Sequence, residues 1–378
     1  MISRFRQIAV FSLLALLSSV LHAAEADPIK IGEITSLTGK EAAYGQSAHK
    51  GTLLAIEELN AADGVLGRQL KLITEDNQTK AGESATAARK LISRDKVVAL
   101  LGEVASSRSL EIAPIAQSSK IPMVSPASTN PKVTAVGTYI FRLCFIDPFQ
   151  GPVMAKFAHE DLGLRRVAVL TSVSSAYSVG LSKFFKERFL SEGGEIAIEQ
   201  KYSEGDKDFR SQLTAIKATG VGGIFIPGYY SEVALIAKQA RELGITAVLF
   251  GGDGWDAPQL MQIGGAALEG CYYSTHYSPE DTSPAVQNFV KNYKARFNDE
   301  TPDAIAALGY DSALVLADAI KRAGSTEPDA VRGALAATRN FMGVTGNTSI
   351  DADRNAAKPA VVLAIKYGRI NFFKSVVP

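Results

Sequence analysis

Residues 97–117 read VVALLGEVASSRSLEIAPIAQ, and this stretch decides the fold class. Its first five residues are all apolar, as expected for a parallel strand that is covered on both faces. From Ser106 onward the apolar residues recur at helical spacing. A buried strand that leads through a polar loop into a helix predicts a parallel sheet layered with helices.

The same alternation of strands and helices continues through most of the 378 residues. A first series begins at PIKIGEIT (28–35), and a second begins after residue 151. This length is comfortable for two domains, so we predict an α/β protein with two doubly wound lobes. In open sheets of this kind, ligands bind beyond the carboxyl ends of the strands. Two loops from each lobe are therefore expected to form the walls of one cleft.

Composition narrows the class of ligand. The chain has 40 basic and 39 acidic residues, giving a formal net charge of +1. This balance provides no general field for nucleic acid or for an anionic membrane surface. The sequence also has no phosphate-binding glycine loop and no histidine–cysteine cluster. We therefore expect a small-molecule ligand, no metal and no cofactor.

The N-terminus has the pattern of a secretory signal peptide. Arg4 and Arg6 precede the apolar run of residues 8–21, which is followed by small residues. We predict a signal peptide over residues 1–24, with cleavage between Ala23 and Ala26. No later segment is long enough to span a membrane, and no cysteine stands directly after the apolar run. The mature protein is expected in the periplasm, without stable membrane insertion.

The sequence around Ser106 suggests three chemical roles for its hydroxyl: a nucleophile, an anion anchor or a helix cap. A nucleophile would favour a G-x-S-x-G elbow and a nearby base, but the chain reads V-A-S-S-R here. The sequence holds four histidines, none in a predicted cleft motif, so we expect no catalytic residue and no enzyme. At a helix start, Ser106 could anchor an anion or cap the helix. Its sequence context leaves these two roles open.

Other loops on the same side carry complementary groups. Ala127, Ser128 and Thr129 follow one buried strand, and Asp253 lies between glycines after another. Aromatic residues fall in loops on that side as well: Tyr44, Tyr177, Tyr229, Tyr230 and Trp255. An anion site on one lobe and a carboxylate on the other match a zwitterion such as an α-amino acid.

The order of several motifs resembles a known family. The motifs are GEITSLTGKEAAYGQSAHKG, ALLGEVASSRSLEIAPIA, PMVSPASTNP, FRLCFIDPFQG, PGYYSEVALIAKQARELG and GGDGWD. Together they resemble the branched-chain amino-acid (Leu/Ile/Val)-binding proteins, the periplasmic substrate-binding components of ABC transporters. The resemblance implies a type I periplasmic-binding-protein fold whose two lobes are joined by three hinge crossings.

The same resemblance implies the division of the chain. The first lobe would comprise residues 27–143 with 274–345, and the second 144–273 with 346–378. The crossings would lie near residues 142–146, 270–275 and 344–347. Cys144 and Cys271 would then fall on neighbouring crossings, and a disulfide or two buried thiols both remain open.

The family pattern also implies roles for individual residues. Ser106 and Thr129 would bind the ligand carboxylate, while Ala127, Thr129 and Asp253 would bind its ammonium. The family carries glutamate at the place of Asp253, so the carboxylate here is one methylene shorter. The expected pocket lining comprises Tyr44, Ser107, Tyr177, Tyr229 and Trp255. Two residues, Arg108 and Trp255, have no counterpart in the pattern.

The expected function is capture of an amino acid, branched-chain or small and neutral, by hinge closure and its delivery to an ABC transporter permease. Such a protein performs no chemistry and is expected to be a monomer. Two alternatives stay open. One is a periplasmic ligand sensor that feeds a chemoreceptor or sensor kinase, and the other is a binder of a related organic acid.

Overall fold

The computed structural model describes residues 27–376. The predicted signal peptide and its cleavage point lie outside these residues. Within this range, no helix has the length and apolar character needed to cross a membrane.

The first lobe contains a five-stranded sheet in the order β2-β1-β3-β4-β5, and all its strands are parallel. Its strands are β1 (Ile29–Thr35), β2 (Leu70–Asp76), β3 (Ala99–Leu101), β4 (Met123–Ser125) and β5 (Ile140–Arg142). Every residue of the three short strands is buried, which matches the apolar run that opens the segment 97–117.

The second lobe contains a seven-stranded sheet in the order β15-β14-β10-β9-β8-β6-β7. Its strands are β6 (Arg166–Ser172), β7 (Glu195–Tyr202), β8 (Gly223–Phe225), β9 (Val248–Gly251), β10 (Tyr272–Thr275), β14 (Ala360–Lys366) and β15 (Arg369–Val376). The last two form an antiparallel hairpin beside β10, and the other five strands run parallel. A third, small sheet joins β11 (Phe341–Gly343), β12 (Gly346–Ile350) and β13 (Ala356–Ala357).

Helices cover both faces of the two large sheets. They are α1 (Ala42–Ala61), α2 (Glu83–Lys90), α3 (Ser106–Ser118), α4 (Lys132–Ala135), α5 (Asp147–Lys156), α6 (Ala176–Ser191), α7 (Arg210–Lys217), α8 (Tyr230–Glu242), α9 (Pro258–Gly264), α10 (Pro284–Arg296), α11 (Ala304–Ala323) and α12 (Pro328–Ala336). The prediction of two doubly wound α/β lobes is confirmed.

The turn between β3 and α3 depends on Gly102. Its φ is +115°, a backbone conformation that favours glycine. A Cβ atom at this position would lie 2.0 Å from the carbonyl oxygen of Ile34 in β1. Glycine therefore lets the chain leave the buried strand close to its neighbour and begin α3 at the cleft.

The chain crosses between the lobes at residues 143–146, 276–283 and 358–359. The second crossing comes later than the expected 270–275, because Tyr272–Thr275 form β10 of the second sheet. The third also comes later than 344–347, because Ile350 and Ala356 pack in the core of the first lobe. Residues 346–357, placed in the second lobe by the sequence, therefore pack with the first.

The two cysteines are not bridged. Cys144 lies in the first crossing and Cys271 precedes β10, and both are buried free thiols. Of the two possibilities that the sequence leaves open, the structure therefore shows two buried thiols and not the disulfide.

Candidate functional site

The four predicted loops meet at one cavity between the lobes. The cavity is small, about 20 Å³. It is lined by Tyr44, Val104, Ser106, Ala127, Tyr177, Tyr229, Asp253, Gly254 and Ile305. The structure thus brings together six of the nine residues predicted for the site: Tyr44, Ser106, Ala127, Tyr177, Tyr229 and Asp253.

Ser106 begins α3 but does not cap it. The N-cap position is occupied by Ala105, which makes no side-chain cap. The Ser106 hydroxyl instead accepts the backbone N–H of Asn130 at 3.3 Å. Since Ser106 also lines the cavity, the positive end of the α3 dipole faces the place where a ligand would lie.

A buried carboxylate that sequence reasoning missed holds this loop. Glu103 accepts the N–H of Ala105 at 2.7 Å, the Ser36 hydroxyl at 2.8 Å and the Asn77 amide at 3.0 Å. Burial raises the pKa of Glu103. The backbone carbonyl of Glu103 also accepts the Ser128 hydroxyl at 3.0 Å. These contacts fix the two first-lobe loops against each other.

Thr129 lies next to this network. The side chain is fully buried, does not line the cavity, and places its hydroxyl beside the buried carboxyl of Asp147. The Arg142 guanidinium donates to the carbonyl of Ser128, the residue before Thr129, and so helps to fix this loop.

Asp253 supplies the carboxylate of the second lobe. Its Oδ1 accepts the side-chain amide of Gln150 at 2.8 Å, and its Oδ2 lies 3.0 Å from Nε2 of His276. Burial lowers the pKa of His276, so the ring is uncharged and donates its Nε2–H to Asp253. Neither partner was predicted. His276 directly follows the buried strand β10, so the rule that selected Asp253 after β9 could have selected it too.

Three tyrosines form the aromatic wall that the sequence predicts. Tyr177 and Tyr229 stack with ring centroids 5.2 Å apart and planes 6° apart. Tyr44 meets Tyr229 edge-on at 5.5 Å. The backbone of Gly254 joins them, since its N–H donates to the Tyr177 hydroxyl at 3.0 Å and its carbonyl accepts the Tyr44 hydroxyl. Burial raises the pKa of all three phenols, so they stay uncharged.

Two residues expected in the lining lie elsewhere. Trp255 is fully buried, donates its indole N–H to the Ile226 carbonyl at 2.8 Å, and stacks on Tyr273 in the second-lobe core. The Ser107 hydroxyl accepts the backbone N–H of Ala176, in the opposite lobe, at 3.0 Å. Both are corrections to the expected pocket lining. In their place, the cavity has apolar walls that the sequence did not indicate, Val104 and Ile305.

Arg108, which has no counterpart in the family pattern, contacts a residue of its own helix. Its guanidinium pairs with Glu111, one turn further along α3. Arg108 is absent from the cavity lining, so this geometry gives it no contact with the site.

Direct contacts hold the two lobes closed over the cavity. The Asn130 amide donates to the Ala176 carbonyl at 2.7 Å, and the Tyr230 hydroxyl donates to the Lys40 carbonyl at 3.0 Å. Lys40 also forms an ion pair with Glu204 at 3.0 Å. These contacts lie on both sides of the cleft, so separation of the lobes would break them and widen the access to the cavity.

Comparisons with known proteins agree with this architecture. The chain matches the family described as "Periplasmic binding protein" over residues 28–369. It is 31% identical to a leucine-, isoleucine-, valine-, threonine- and alanine-binding protein of Pseudomonas aeruginosa, over 90% of this chain and 91% of that one.

Two solved structures are similar over almost the whole fold. A leucine-binding protein from Thermotoga maritima superposes with a TM-score of 0.89 at 44% identity, covering 93% of this chain and 99% of that one. A branched-chain amino acid transporter substrate-binding protein from Streptococcus pneumoniae, in complex with isoleucine, superposes with a TM-score of 0.88 at 34% identity. That match covers 93% of this chain and all of the other. The protein therefore belongs to the periplasmic binding protein family.

Proposed function

We propose that the cleft binds an α-amino acid, branched-chain or small and neutral. The observation that carries this proposal is the pairing of groups across the cavity. The first lobe presents a helix N-terminus with Ser106, with Thr129 buried in the adjoining loop, and the second presents the Asp253 carboxylate. An anion-binding end and a carboxylate on opposite walls match the two charges of a zwitterion.

Each group of the ligand has a proposed partner. The Ser106 and Thr129 hydroxyls would receive the carboxylate, and Asp253 with the Ala127 carbonyl would receive the ammonium. Asp253 already accepts two hydrogen bonds, but both come from uncharged donors. Because a carboxylate has about four acceptor positions, it can still accept from an ammonium. The apolar side chain of the ligand would pack against Tyr229, Val104 and Ile305.

Binding would be linked to closure of the hinge. A ligand that contacts both lobes stabilises the closed state more than the open one and so shifts the population towards closure. The closed protein would then deliver its ligand to the permease of an ABC transporter. We propose that the mature chain does this in the periplasm, as a monomer and without any chemical step. The named ligands of the similar proteins, leucine and isoleucine among them, support this choice.

A thermal-shift screen tests the proposal. The mature protein is stripped of ligand by unfolding and refolding and then scanned against the common amino acids and organic acids. At a ligand concentration of 100 times Kd, binding adds about 2.7 kcal/mol to the free energy of unfolding and raises the melting temperature. The exchange Asp253→Ala should abolish the response, whereas Asp353→Ala, at an exposed carboxylate, should preserve it. A response only to anions that lack an ammonium would refute the proposal.

A further inference from the structure

The carboxylate of Asp253 is held by the hinge itself. Gln150 lies on α5, four residues after the first crossing ends at residue 146, and its amide reaches Oδ1 of Asp253 at 2.8 Å. His276 is the first residue of the second crossing, and its Nε2 lies 3.0 Å from Oδ2. One partner of this side chain thus lies in the second crossing, and the other lies on the helix that directly follows the first crossing.

The two crossings also contact each other at this point. The His276 ring stacks on Phe145 of the first crossing, with centroids 3.7 Å apart and planes 27° apart. All four side chains, Phe145, Gln150, Asp253 and His276, are 5% exposed or less. A buried hydrogen bond to a charged group is strong and directional, so the orientation of Asp253 depends on the relative position of the two crossings.

We infer that Gln150 and His276 are positioning residues that aim Asp253 at the ligand ammonium and tie ammonium recognition to the two hinge crossings. This inference rests on the proposed function. Opening of the lobes moves the crossings, so it would also alter the hydrogen bonds that orient Asp253. The affinity for the ammonium would therefore be greatest in the closed hinge.

The uncharged state of the His276 ring suits its role as a positioning residue. Burial lowers the pKa of His276, and the positive charge of Lys358 in the third crossing lowers it further. The hydrogen bond to Asp253 and the negative charge of Asp253 raise this pKa, but burial is the largest effect. An uncharged ring orients Asp253 without neutralising it, so the carboxylate keeps its full charge for the ammonium. Nδ1 of His276 makes no hydrogen bond to residues 27–376, which leaves Nε2 as the only ring nitrogen with a partner there.

The test separates ammonium recognition from general stability. Calorimetry measures the dissociation constants of L-leucine and of 4-methylpentanoate, the carboxylate analogue that lacks the ammonium. His276→Phe keeps an aromatic ring on Phe145 but removes the donor, and Gln150→Met removes the other donor at similar size. We expect each exchange to weaken leucine binding about ten- to a hundredfold, with the analogue affected less than threefold.

Two further variants act as matched controls. His276→Gln places an amide donor near the position of Nε2 and should restore leucine binding to within about threefold of the wild type. His159→Phe changes a histidine that lies in the turn after α5 and should have no effect on either ligand. If His276→Phe fails to fold, the binding data for Gln150→Met alone test the positioning role.

Equal loss of both ligands, or no loss of either, would overturn the positioning role. The proposed function fails in a different way, because the wild type itself would then bind leucine no better than 4-methylpentanoate.

Discussion

The side chain of Asn130 donates a hydrogen bond to the carbonyl oxygen of Ala176 across the cleft, at 2.7 Å. Asn130 follows Thr129 in the first lobe, and Ala176 begins α6 in the second. The same Asn130 side chain accepts the N–H of Lys132 at 2.9 Å and is thereby fixed in orientation. A residue adjacent to the ligand site therefore helps to hold the two lobes together in the closed arrangement.

The exchange Asn130→Asp should favour the open state. The oxygen that accepts from Lys132 is kept, but a carboxylate then faces the Ala176 carbonyl, where an amide donor stood. We expect amino-acid affinity to fall about tenfold, because the closed state loses one hydrogen bond and gains a repulsion. Small-angle scattering with ligand should give a larger radius of gyration than for the wild type. Asn347→Asp, exposed on β12, is the control, and equal affinities in both variants would exclude the closure role.

Thr129 should matter for binding but not for folding. Thr129→Val removes a buried hydroxyl whose polar neighbour is the Asp147 carboxyl, so the free energy of unfolding should change by no more than about 1 kcal/mol. Amino-acid affinity should fall tenfold or more, because a charged ligand group loses its hydrogen bond. Chemical denaturation and calorimetry measure the two effects.

The chain offers a matched control for this exchange. Thr348, on β12, is also fully buried and makes no hydrogen bond in the described range. Thr348→Val should behave like Thr129→Val in denaturation but leave binding unchanged. If both exchanges reduce affinity equally, the Thr129 hydroxyl has no direct role in binding.

Sequence reasoning located the loops because it used a rule about strand ends. Ser106, Thr129 and Asp253 each follow a short buried strand, and the parallel order of the strands brings those ends to one cleft. The rule does not give side-chain direction. Trp255 lies two residues after Asp253, but the intervening 3₁₀ turn directs its ring into the core.

The residues that orient the ligand-binding side chains were harder to predict, because they make contacts between distant parts of the chain. Gln150 and Asp253 are 103 residues apart in the chain, and no local pattern links them. The lobe boundary that the resemblance places near residue 346 differs from the structure for a similar reason. Short strands such as β12 have the same pattern in either lobe, and only the packing of Ile350 shows which core receives them.

The thiols should behave as two isolated buried groups. Burial raises the pKa of Cys144 to about 12 and that of Cys271 to about 11, so neither forms a thiolate near neutral pH. We expect no reaction with a disulfide reagent in the native protein and two thiols per chain after unfolding. The melting temperature should be the same with and without reductant. A lower melting temperature in reductant would indicate a bridge.

The Asp147 carboxyl should make stability depend on pH. It is fully buried at the start of α5, and burial raises its pKa to about 8 from an ordinary 3.8, against the opposing effect of the neighbouring Thr129 hydroxyl. Between these two values the folded state holds a proton that the unfolded state has lost. Folding stability therefore falls as pH rises from about 4 to 8, by up to about 1.4 kcal/mol per pH unit.

Asp147→Asn removes this titration at almost constant size. The difference in melting temperature between the variant and the wild type should grow in favour of the variant from pH 5 to pH 8. It should change little below pH 4, where the carboxyl is protonated in both states. Asp353→Asn, at an exposed carboxyl, should show no such trend. A difference for Asp147→Asn that stays constant from pH 4 to pH 8 would mean that the carboxyl does not titrate on unfolding and that its burial is compensated in the folded protein.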